Sequence, residues 1–66
     1  MKTATAYFYS KSPYETRYRW HKMAIYSESV AVEVVNDTNV LRDLNATAIC
    51  ATNDETGEII ALVERG

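Results

Sequence analysis

Ser27-Glu28-Ser29-Val30-Ala31-Val32-Glu33-Val34-Val35 sets the fold class, because the same nine residues can be read as a helix or as a strand. On propensity alone the run from Val30 to Val35 suits extended chain, since branching at Cβ restricts χ1. The spacing favours a helix. Val30, Ala31, Val34, Val35, Thr38 and Leu41 fall near one helical face, while Glu28, Glu33 and Asp37 gather away from it. Ser27 can cap free backbone N–H groups, and Glu28 suits the positive end of the helix dipole. The pattern predicts a helix that ends or kinks at Asn36-Asp37-Thr38-Asn39, with a further turn from Val40 to Leu44.

On the N-terminal side, Thr3 to Ser10 is rich in Thr and aromatics and reads as a strand. Ser10-Lys11-Ser12-Pro13 reads as a turn. Glu15 to Tyr26 alternates Thr16, Tyr18 and Trp20 against Arg17, Arg19 and His21, which predicts a second, longer strand. Its apolar phase then slips to Met23 and Ile25, the signature of a bulge near His21-Lys22. On the C-terminal side, Ala46 to Thr52 and Glu58 to Glu64 read as strands joined by the hairpin loop Asn53-Asp54-Glu55-Thr56-Gly57. The expected fold is a single α+β domain over residues 1–66, a two-layer β-β-α-β-β arrangement with one helix on one face of a four-stranded sheet. A right-handed crossover would set the first and last strands side by side as parallel central strands, as in a β-grasp fold. If residues 29–35 are extended instead, a small all-β barrel is the alternative.

The chain has 66 residues and one cysteine, Cys50. A lone thiol cannot staple a small fold, and the first residues lack a signal peptide's unbroken apolar run, so a cytoplasmic setting is expected. No stretch is apolar for long enough to span a membrane. Charge and aromaticity are unevenly placed. Lys2, Lys11, Arg17, Arg19 and Lys22 stand against Glu15 alone in the first 26 residues, which also hold all the aromatics. The remainder carries Arg42 and Arg65 against every other acid.

Two surfaces follow. In the last strand Ile59, Ala61 and Val63 point one way, Ile60 and Leu62 the other. One helix covers one face of a sheet, so Ile60 and Leu62 are expected on a bare face that meets a second copy in a homodimer, unless loops or the long side chains of Tyr7, Tyr9 and Tyr18 cover it. The first hairpin gathers Tyr7, Tyr9, Tyr14, Arg17, Tyr18, Arg19, Trp20, His21 and Lys22. Tyr, Trp and Arg bury area at little entropic cost and keep a polar tip, which suits a protein partner. The same types stack on bases and neutralise phosphates, so nucleic acid stays open as the alternative partner, and Phe8, Trp20 and Tyr26 can also serve as core.

Nothing in the pattern supplies catalysis. His21 has no orienting partner at fixed spacing, and Cys50 reads as a buried thiol between Ile49 and Ala51. One His and one Cys cannot make a four-ligand metal site, and two glycines make no phosphate loop, so no enzyme activity and no cofactor are expected.

Tyr18-Arg19-Trp20-His21-Lys22, followed by Ser27-Glu28, resembles the small phage-encoded inhibitors of uracil-DNA glycosylase, in which an aromatic-x-aromatic-His-Lys strand runs into a serine-acid helix start. The resemblance implies a dimeric DNA mimic whose helix acids and nearby aromatics face the enzyme. This chain departs from it in its extra C-terminal hairpin strand and its basic first part. The expected function is a small, non-enzymatic interaction protein that binds a macromolecular partner, of the kind a phage uses to inhibit a host protein.

Overall fold

Residues 29–35 are helical in the computed structural model, which describes residues 2–65. The chain forms strands β1 (Thr3–Ser10) and β2 (Arg19–Ser27), helices α1 (Glu28–Asn36) and α2 (Thr38–Asp43), then strands β3 (Ala48–Asn53) and β4 (Ile59–Glu64). The helix prevails over the β propensity of its valines because it buries Ala31 and Val35 against the sheet. Val30, expected on that face, is exposed at its rim. Ser27 occupies the N-cap position, but its hydroxyl makes no capping bond. The Glu28 N–H instead donates to the Lys2 carbonyl at 3.1 Å, which ties the helix start to the beginning of β1.

The expected break at Asn36 to Asn39 separates two short helices, because Asp37 is extended at φ −82°, ψ 109°. Its Oδ1 accepts from the Asn39 N–H at 2.9 Å and so caps α2. At the other end of α2, Asn45 adopts φ 51°. The Asn45 N–H donates to the Arg42 carbonyl, and the Ala46 N–H donates to the Leu41 carbonyl. This is the paired closure that a left-handed residue gives a helix end, and it turns the chain into β3.

The sheet order is β2-β1-β3-β4, and every pairing is antiparallel. The expected parallel pair of first and last strands is therefore absent. β2 is an edge strand, and its helical connection passes over β1 to reach β3, so β4 ends on the far edge. β2 also starts later than the alternation from Glu15 suggested. β1 ends at Ser10, which pairs with Arg19, so residues before Arg19 have no neighbouring strand to bond. They form a loop in which the Glu15 N–H donates to the Ser12 carbonyl at 3.0 Å.

Both edge strands carry a bulge. In β2 the extra residue is Met23, between Lys22 (opposite Tyr7) and Ala24 (opposite Ala6), just past the expected site. In β4 it is Ile60, between Ile59 (opposite Thr52) and Ala61 (opposite Ala51). This second bulge corrects the expected side of Ile60. It packs against the helix-side core, and Ile59 takes its place beside Leu62 on the other face. The core joins Ala4, Ile49 and Ala51 of the sheet to Ala31, Val35, Leu41 and Ala46, with Phe8, Tyr26 and Val63 around it. No helix among the described residues is long and apolar enough to cross a membrane.

Candidate functional site

Both helices pack on one face of the sheet, and the other face is left open. Strand alternation sends Ala4, Ala6 and Phe8 toward the helices and Thr5, Tyr7 and Tyr9 to the open side. Cross-strand register then fixes three rows on that side. Trp20, Tyr9, Ala48 and Glu64 share one row; Lys22, Tyr7, Cys50 and Leu62 the next; Ile25, Thr5, Thr52 and Ile59 the third.

The rows make an apolar, aromatic surface. Tyr18, Trp20, Ile25, Ile59 and Leu62 lie on it, each between 46% and 61% exposed. Of the other large hydrophobic side chains exposed among the described residues, only Tyr14 and Val30 lie elsewhere. The Tyr9 ring packs between Tyr18, stacked at 5.6 Å, and Trp20, tilted at 5.1 Å. The Lys11 ammonium stands 5.9 Å over the Tyr18 ring. Beside this cluster lies an open depression of about 460 Å³, lined by Tyr7, Trp20, Cys50, Thr52, Gly57 and Ile59. Its floor is low because β3 presents small residues there. The aromatics partly roof the centre of the sheet, so Ala48 and Cys50 are buried although no helix covers them. Burial pushes the Cys50 thiol up, toward the neutral form.

At one end of the face Asp54 ties two hydroxyls together. Thr5 Oγ1 donates to its Oδ1 at 2.6 Å and Thr3 Oγ1 donates to its Oδ2 at 2.7 Å. These bonds, Thr5's first, hold the carboxyl below its usual range, with a smaller contribution from the Lys22 charge.

The nine expected binding residues do not form one surface. Tyr7, Tyr9, Tyr18, Trp20 and Lys22 are on the open face. His21 is on the helix side, where its ring stacks on Phe8 at 5.1 Å. Arg19 follows it there by register, opposite Ser10, and its Nε contacts Glu15 Oε2 at 2.8 Å. Tyr14 and Arg17 belong to the loop between β1 and β2. Leu62, expected on the dimer face, shares the open side with Tyr7, Tyr9 and Tyr18, the side chains expected as its alternative cover. Sequence reasoning missed Lys11, Ile25 and Ile59. Ile25 was legible from the phase slip in β2, whereas Ile59 depends on the bulge in β4. No group of three or more His, Cys, Asp or Glu among the described residues is placed to hold a metal ion.

No protein-family model, curated protein or solved structure matches the chain.

Proposed function

We propose that this chain is a small, non-enzymatic interaction protein whose open sheet face binds another protein. One observation carries this reading: most of the exposed large hydrophobic side chains gather on the single face that no helix covers. A bare apolar patch costs solubility unless something covers it, and Trp and Tyr are the types that dominate binding energy at protein interfaces. Nucleic acid fits the face less well. Lys11 and Lys22 are offset by Asp54 and Glu64, and Ile25, Ile59 and Leu62 offer bases no stacking surface. The proposed setting is the cytoplasm, where a lone thiol stays reduced.

An inhibitor of a host enzyme, of the kind that Tyr18–Lys22 resembles, is one member of this class. A DNA mimic presents a predominantly acidic face, whereas the acids of this face, Asp54 and Glu64, are matched by Lys11 and Lys22.

The test is capture of a partner by the tagged chain after nuclease treatment. Trp20→Ala is expected to abolish capture. Arg19→Glu, on the other side of the sheet, is expected to leave it unchanged. Capture that survives Trp20→Ala, or that is lost once nucleic acid is digested, overturns the reading.

A further inference from the structure

The open face is divided into two unlike halves. Over β1 and β2 it rises into an aromatic ridge of Tyr7, Tyr9, Tyr18 and Trp20, of which Tyr7 and Trp20 also wall the depression. Over β3 it drops, because Ala48, Cys50 and Thr52 are small, and the depression of about 460 Å³ opens there as far as Ile59. Charge follows the division in part. Lys11 and Lys22 stand on the ridge half, where Asp54 is also bound to Thr3 and Thr5 of β1, and Glu64 stands on the β4 half. Outside Asp54 the imbalance runs through both hairpins: the first is basic, while the loop and strand from Glu55 to Glu64 carry Glu55, Glu58 and Glu64 without a basic residue.

A two-fold interface presses the same patch of two copies together, so every feature must find its complement across the axis. An axis parallel to the strands and passing between β1 and β3 meets that condition. It lays the ridge of each copy over the depression of the other. It also keeps register rows facing each other. Lys22 lies one row from Glu64, and Lys11 follows Ser10 at the far end of β1 with its ammonium over the Tyr18 ring. Such an axis would bring both ammonium groups toward Glu64 of the partner subunit. A partner with a uniformly apolar, uniformly basic or uniformly acidic face would match only half of this surface.

We infer that the open face is the two-fold interface of a homodimer, ridge in depression and basic half on acidic half. The inference rests on reading this face as a protein-binding surface, and it names a second copy as the occupant. Four strands about 4.8 Å apart, over about seven residues of 3.3 Å each, give roughly 450 Å² in plan per copy. The pair then buries roughly 900 Å², below the roughly 1,200 Å² of stable specific interfaces and in the range of weak, transient ones. Association is therefore weak, and the measurement must span about 1 to 500 μM.

Sedimentation velocity over that range is expected to show a reversible shift from monomer to twice its mass. Trp20→Ala and Leu62→Glu each weaken it about tenfold or more, with far-UV spectra confirming that both variants fold. A charge exchange reports the registry. Lys11→Glu/Lys22→Glu and Glu64→Lys each set like charges together in their own homodimers and dissociate them. Mixing the two variants restores opposite charges at both ends of the interface and restores the dimer. Mass that stays monomeric throughout overturns the second copy, as does a dimer indifferent to Trp20→Ala and Leu62→Glu or a mixture that does not recover. A monomeric chain that loses a captured protein on Trp20→Ala overturns the homodimer alone and leaves the protein-binding reading standing.

Discussion

At the scale of single residues, Asp54 joins the end of β3 to the start of β1 through two hydroxyl bonds, and this makes it a pH-sensitive tie. The folded state holds its carboxyl below the usual range, so the unfolded chain takes up the proton first on acidification. Its contribution to stability is complete above the ordinary aspartate range near about pH 4, and is lost as pH falls through the lower folded value. Melting temperatures measured from pH 5 to about pH 2 are therefore expected to fall more steeply for the parent chain than for Asp54→Asn. Thr5→Val should move the carboxyl back toward its peptide value in a proton-detected titration. Equal slopes for parent and Asp54→Asn would remove Asp54 from the acid sensitivity. None of this was legible in the sequence, where Asp54 is one of several polar loop residues and its partners lie some fifty positions away.

At the scale of elements, legibility followed how local the determining physics is. The β3–β4 hairpin was readable because its turn is built from its own residues. The Asn53 Oδ1 accepts from the Glu55 and Thr56 N–H groups, and Gly57 takes φ 77°. The start of β2 was not readable, since Glu15 to Tyr18 alternate like a strand and only the length of β1 leaves them unpaired. The two bulges differ in the same way. Met23 announces itself by shifting the apolar phase, whereas Ile60 sits in a run apolar on both sides, where an extra residue changes no pattern. The hairpin predicts two stability effects. Gly57→Ala meets no steric neighbour, so its cost is the left-handed backbone alone, about 1 kcal/mol. Asn53→Ala loses the turn bonds and the 3.0 Å bond from its Nδ2 to Glu28 Oε2, and should cost about 1–2 kcal/mol. Urea midpoints should fall accordingly with the slope unchanged. A Gly57→Ala midpoint equal to the parent's would mean that the loop relaxes out of its left-handed turn.

At the scale of the whole molecule, the class of fold was legible and the strand order was not. The hairpins and the helix are local, but whether β3 or β4 docks beside β1 depends on how the α1–α2 connection crosses the sheet. Half of the candidate face was legible for a related reason: Tyr7, Tyr9 and Trp20 follow from strand alternation, whereas Tyr18 reaches the face from the loop by stacking on Tyr9. That the tyrosines lie over the Leu62 face was one of two expectations, and the strand order decided it, while the place of Ile59 there depends on the β4 bulge. Size then ties that face to stability. At about 0.05–0.15 kcal/mol per residue, a domain of this length holds only roughly 3–10 kcal/mol. A second copy that binds the folded chain alone adds to this by mass action, and in so small a domain each 1 kcal/mol moves the melting temperature by roughly 4–8 °C. The melting temperature of the parent chain is therefore expected to rise by several degrees between about 5 and 500 μM. That of Trp20→Ala should rise less over the same range, because Trp20 is half exposed in the single chain and its loss weakens the interface without opening the core. Parallel rises in both would place the coupling away from Trp20. A flat parent curve would mean that the open face is stable bare, roofed sufficiently by its own tyrosines.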